Sequence, residues 1–131
     1  MAKFGTAVAL LVTASLAQGG AALAQPAESI EISITDYAFT PPTLSLKAGA
    51  AYHMHFTNSG SKDHNYSAPE FFAASQLATD DQGKIKNGAV VVDSGHAVDI
   101  TVTPGQAGTY ALTCTHFMHK MMGMHGSISV Q

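Results

Sequence analysis

Gly108-Thr109-Tyr110-Ala111-Leu112-Thr113-Cys114-Thr115-His116-Phe117-Met118-His119-Lys120-Met121-Met122-Gly123-Met124-His125-Gly126-Ser127-Ile128-Ser129-Val130 decides the reading of this 131-residue chain. Tyr110, Leu112 and Cys114 recur at every second position, and so do Ile128 and Val130. Period two is the pattern of a strand with one face buried. The stretch therefore reads as strand, loop, strand, with Cys114 ending the first strand and its side chain aimed at the end of a core. The loop is the anomaly. From Cys114 to His125 it holds one thiol, three imidazoles and four thioethers in twelve residues. A hairpin connection has no use for Met, and a hydrophobic core has none for three His.

Working outward, the same alternation fills the rest of the chain. Ile30, Ile32 and Ile34 share a face opposite Glu31 and Ser33. Phe39-Thr40-Pro41-Pro42 breaks that run, and Leu44 and Leu46 form the next strand before the turn at Lys47-Ala48-Gly49. Tyr52, Met54 and Phe56 alternate with His53, His55 and Thr57, and Asn58-Ser59-Gly60-Ser61 is a loop by composition. Pro69 to Leu77 is expected to form one short helix, with Pro69 in its first turn. Ala78 to Gly88 is polar and reads as a connection. Ala89 to Val92 is a β-branched run, Asp93-Ser94-Gly95 turns it, and His96, Val98, Ile100 and Val102 mark the apolar face of another strand. Six to eight short strands with little helix predict an all-β protein, a β-sandwich.

The N-terminus reads differently. Lys3 is followed by an apolar run from Ala7 to Ala17, and Ala22-Leu23-Ala24 has the small-x-small spacing of a signal-peptidase site. Residues 1–24 are expected to be a cleaved signal peptide, leaving 25–131 as one exported domain with no membrane anchor, in the simplest case periplasmic and monomeric. A chain of that size can bury about two-thirds of its unfolded surface. Without Lys3 it has five Lys, no Arg and nine acidic residues, a formal charge of −4. That charge and the lack of a basic cluster argue against nucleic acid as a partner. Cys114 is the one cysteine and cannot make an intrachain disulfide.

Soft sulfur combined with imidazole selects copper, above all in a site that must hold both Cu(I) and Cu(II). Zinc takes four strong N or S ligands, and thioether serves it poorly. The spacing Cys114-x4-His119-x4-Met124 lets one loop fold two later donors back over the sulfur. A trigonal His2Cys site with a weak axial Met needs one more His from elsewhere. His64, in Lys62-Asp63-His64-Asn65, is the best candidate.

With these residues in place, the sequence resembles the cupredoxins, the blue copper family of plastocyanin and azurin. The resemblance runs through Phe39-x-Pro41, Leu44 and Leu46 before Gly49, and Phe56-x-Asn58. It continues through His64-Asn65 and Gly108-x-Tyr110-x-Leu112-x-Cys114-Thr115, and closes with Met124-x-Gly126-x-Ile128-x-Val130. It implies a Greek-key β-sandwich and one copper per chain held by His64, Cys114, His119 and Met124. It also implies a hydrogen bond from Asn65 to Thr115 that pins the two ligand loops together, and His119 as the port for an electron. Met121 and Met122 compete with Met124 for the axial place; the Met-x-Gly step into the last strand favours Met124. His116, Met118, Met121, Met122 and His125 exceed what one site requires and are candidate extra copper ligands.

Other polar residues have plainer expectations. His53 and His55 share one strand face, where a solvent-facing pair is expected. His96 is expected to be a hydrogen-bonded edge residue, Phe71 and Phe72 core contacts, and Asp80-Asp81 a solvated loop. Two functions remain. One is a one-electron carrier working with a redox partner protein. The other is copper handling, in which the Met- and His-rich loop binds, buffers or passes copper to a trafficking protein. No enzyme is expected, because copper enzymes built on this fold need further metal centres and further domains.

Overall fold

The computed structural model describes residues 26–116 and 118–131. The expected signal peptide and its cleavage point lie outside them. In chain order the strands are β1 (Glu28–Thr35), β2 (Ala38–Thr40), β3 (Thr43–Leu46), β4 (Tyr52–Asn58) and β5 (His64–Ser67). The helix α1 (Pro69–Ala73) follows. After it come β6 (Ser75–Leu77), β7 (Ile85–Lys86), β8 (Ala89–Val92), β9 (Ala97–Pro104), β10 (Gly108–Thr113) and β11 (His125–Val130). Among the described residues no helix is long and apolar enough to cross a membrane.

The strands form two sheets, β2-β1-β4-β9-β6 and β3-β11-β10-β5-β8-β7. Spatial neighbours such as β11 beside β3 and β4 beside β9 are distant in sequence, so the chain crosses repeatedly between sheets, as in Greek-key sandwiches. Alternation supplies the core. In β4, Tyr52, Met54, Phe56 and Asn58 are buried while His53, His55 and Thr57 are half-exposed. Parallel β1 sets Ile32 beside Phe56, and antiparallel β9 sets Ile100 beside Met54. From the other sheet come Leu44, Leu46, Tyr66, Val90, Val92, Leu112, Ile128 and Val130, all in one cluster. Each large apolar side chain so buried contributes about 1.5–3 kcal/mol.

The described residues form eleven strands rather than six to eight, because short runs such as Ser75–Leu77 and Ile85–Lys86 join sheet edges, and three further expectations need correction. The helix stops at Ala73, and Ser75–Leu77 pairs with β9 instead. The Ser75 hydroxyl donates to the Phe71 carbonyl at 2.7 Å, and an open sheet edge is available to this segment. Thr79–Lys84 is a 3-10 turn, followed by β7, rather than plain connection. Asp81 within it is more than solvated: it accepts from the Thr101 N–H at 2.8 Å and pairs with Lys84, tying the turn to β9. Third, His96 is exposed and precedes β9 rather than joining its apolar face; its Nδ1 lies 3.0 Å from the Ser94 carbonyl. Phe71 and Phe72 are buried, and the Phe71 ring packs edge-on against Tyr110 on β10.

Candidate metal centre

Cys114 lies one residue beyond β10, where the ladder with β11 runs on for one rung. Its N–H donates to the Met124 carbonyl at 3.0 Å. Thr113 faces His125 in the register, so Cys114 faces Met124. Cross-strand neighbours project to the same side, and both side chains are buried. Between them the loop closes on itself. The His119 N–H donates to the His116 carbonyl at 3.1 Å, and the Met124 N–H donates to the His119 carbonyl at 3.1 Å. His119 is folded back over Cys114 and only 8% exposed. The next strand needs its glycine: a Cβ at Gly126 would collide with the Pro42 carbonyl, which accepts from the Ser127 N–H.

His64 opens β5, on the neighbouring strand of the same sheet, and is fully buried. Its Nδ1 is 3.1 Å from His119 Nδ1 and 3.9 Å from Cys114 Sγ, and His119 Nδ1 is 3.4 Å from Cys114 Sγ. A point equidistant from these three atoms lies about 2.0 Å from each, the length of a metal–imidazole bond. Among the described residues this is the one His, Cys, Asp or Glu group close enough to hold a metal ion. Burial first, then the neighbouring His64, keeps the His119 imidazole below the usual histidine range. A neutral ring offers its lone pair to a metal. One thiol, two imidazoles and an adjacent buried thioether are the donors that copper prefers.

Hydrogen bonds lock the segments that carry His64 and Cys114 together. Asn65 Nδ2 donates to Thr115 Oγ1 at 2.6 Å, and the Thr115 N–H donates to Asn65 Oδ1 at 2.8 Å. Two further residues at the centre carry no signal in the sequence. Asp36 Oδ1 lies 3.0 Å from His64 Nε2. The Tyr37 ring stands edge-on to both His119 and His64, with centroids 5.3 and 6.4 Å away. Both belong to the turn between β1 and β2, whose composition is that of any tight turn.

The other candidates lie outside the cluster. Met121, Met122 and Met118 are 82%, 53% and 49% exposed, and His125 is exposed on β11. His116 is half-exposed and stacks on His119 at 5.5 Å. His53 and His55 both turn to Asp99 on β9, at 3.0 and 2.6 Å from the same carboxylate oxygen.

The sequence matches the model of the cupredoxin-like domain over residues 6–130. A comparison with curated proteins finds no significant match. Solved structures agree in fold. The dithionite-reduced auracyanin of Roseiflexus castenholzii is 20% identical, with a TM-score of 0.61 covering 80% of this chain and 98% of that one. Auracyanin A, a "blue" copper protein of Chloroflexus aurantiacus, is 20% identical, with a TM-score of 0.56 over 79% and 98%. A multicopper oxidase of Campylobacter jejuni described as a metallo-oxidase is 16% identical, with a TM-score of 0.56 over 81% of this chain and 30% of that one. Copper is the metal of the matched family, and the donor cluster fits it. The two-sheet sandwich and the family match over nearly the whole chain place this protein in the cupredoxin-like family.

Proposed function

We propose that the chain is a one-electron carrier with a single type 1 copper, which His64 Nδ1, Cys114 Sγ and His119 Nδ1 would hold together with Met124. The observation that carries this reading is the buried triangle of two Nδ1 atoms and one Sγ with edges of 3.1, 3.4 and 3.9 Å. Bound copper would supply a Cu(II)/Cu(I) couple. The chain's own residues supply rigidity. His64 and Cys114 stand on or beside paired strands, the Asn65–Thr115 hydrogen bonds join their segments, and His119 is tied by backbone bonds on both sides. Donors held this firmly move little when charge changes, which favours fast electron exchange. Met124 is the methionine that would join them, because it is buried beside Cys114, whereas Met121 and Met122 point to solvent. Export to a periplasm and exchange with a redox partner protein, as a monomer, complete the reading.

A second reading, copper handling, is favoured by the exposure of Met118, Met121 and Met122, since solvent-facing thioethers suit transient Cu(I) binding. Voltammetry of the copper-loaded protein beside a copper count separates the two. A reversible one-electron wave at one copper per chain supports the carrier. Two or more coppers per chain, or copper lost within minutes to a Cu(I) chelator, contradict it and put handling first.

A further inference from the structure

His64 is gripped from behind by a residue outside both ligand loops. Asp36 Oδ1 is 3.0 Å from His64 Nε2, and the carboxylate is itself anchored. Its other oxygen accepts from the Ser61 N–H at 3.0 Å and the Ser61 hydroxyl at 2.6 Å, and the Lys62 N–H donates to Oδ1 at 3.2 Å. The loop that brings Ser61 and Lys62 is held in turn by Asn58, buried at the end of β4. Asn58 Nδ2 donates to the Lys62 and Val92 carbonyls, and Asn58 Oδ1 accepts from the Gly60 N–H, each at 2.9 Å. The fit is close, because a Cβ at Gly60 would collide with the Asp36 side chain. Three donors, two of them backbone N–H groups, converge on the Asp36 carboxylate, the setting of an ionised acid.

An ionised carboxylate only accepts hydrogen bonds. Its partner at 3.0 Å must therefore be an N–H, which places a proton of His64 on Nε2. The nitrogen left for a metal is Nδ1, the atom that faces Cys114 and His119. We propose that Asp36 is a positioning residue for copper: it selects the Nε2–H tautomer of His64 and sets a negative charge behind that ligand, favouring Cu(II) over Cu(I). The proposal rests on His64 being a ligand, and Asp36 acts only through it. Tyr37, the next residue, is at φ 72° with its ring against both histidines, so the same turn also covers the site.

Nitrogen-15 NMR of the metal-free protein tests the tautomer independently of copper. The expected result is a slowly exchanging His64 Nε2 proton coupled across to Asp36; a proton on Nδ1 instead overturns the proposal. With copper bound, Asp36→Asn is expected to keep the visible absorption while the ratio of Cu(II) to Cu(I) affinity falls about tenfold, a potential rise of about 59 mV. An unchanged potential overturns the electrostatic half. If Asp36→Asn does not fold, Ser61→Ala carries the test, because it loosens the carboxylate and is expected to speed exchange of the Nε2 proton severalfold. An unchanged rate there counts against the anchoring. Failure of wild type to bind copper in the Cys114 site would sink the functional reading while leaving the tautomer result standing.

Discussion

Two histidine pairs in this molecule have opposite fates. His53 and His55 lie two apart on β4, on the half-exposed face, and share the carboxylate of Asp99. His64 and His119 are 55 positions apart, yet their Nδ1 atoms meet at 3.1 Å beside a buried thiol. The imidazoles are chemically identical; what differs is the company that strand parity gives them. On β4 the inward places are taken by Tyr52, Met54 and Phe56, so both rings face outward to water and a cross-strand acid. At the end of the other sheet the inward places go to donors, and a dry cluster of nitrogen and sulfur results. Proximity in sequence is a poor guide to such a donor cluster, and shared burial a good one.

The largest break of this comparison comes from truncating each pair in turn. His64→Ala or His119→Ala is expected to lower copper affinity by more than the roughly 10–100-fold typical of losing an outer hydrogen-bond partner. His53→Ala with His55→Ala is expected to leave it within about twofold, since neither ring touches the cluster. Isothermal titration with copper reads both. A large loss from the β4 pair would mean that the exposed face participates.

Next in size is a contrast between methionines. Met124→Ala should destabilise the fold by about 2–5 kcal/mol, the usual cost of deleting a buried methionine. Met121→Ala, on the open rim, should stay within about 0.5 kcal/mol. Urea unfolding of the metal-free proteins measures this without any copper term. Asn65→Ala should follow at about 1–3 kcal/mol, because the Thr115 amide and hydroxyl lose their partner at a half-buried place.

The smallest effect is in pH. The Asp99 hydrogen bond raises the pKa of His55 above its usual 6.5. That contribution is complete below 6.5 and fades as pH climbs through the raised value. Hydrogen bonds from His55, then His53, lower Asp99 below its usual 3.8, so its contribution is present above 3.8 and fades as pH falls through the lowered value. The cluster should support the fold best between about 3.8 and 6.5. Thermal melts across pH should show that optimum flattening in Asp99→Asn.

Much of this was readable from the residues. Alternation gave the two-sheet architecture because each strand has one wet and one dry face. Cys114, His119 and Met124, which share one loop, and His64, which precedes Asn65, could be expected to meet in space, and they do. The Asp36 contact could not, since it joins residues 28 apart through an ordinary turn. The end of α1 was missed because nine helix-compatible residues say nothing of the open β9 edge that claims Ser75–Leu77. Asp81 looked solvated because its partner, the Thr101 N–H, is a backbone group that no side-chain pattern marks.

The visible spectrum of the Cu(II)-loaded protein, wild type beside Cys114→Ser, tests the central claim most directly. Ligation by Cys114 predicts an intense thiolate-to-copper charge-transfer band in wild type and its loss in the variant. Wild type binding copper without that band, or a variant that keeps it, would contradict a copper site built on the Cys114 sulfur.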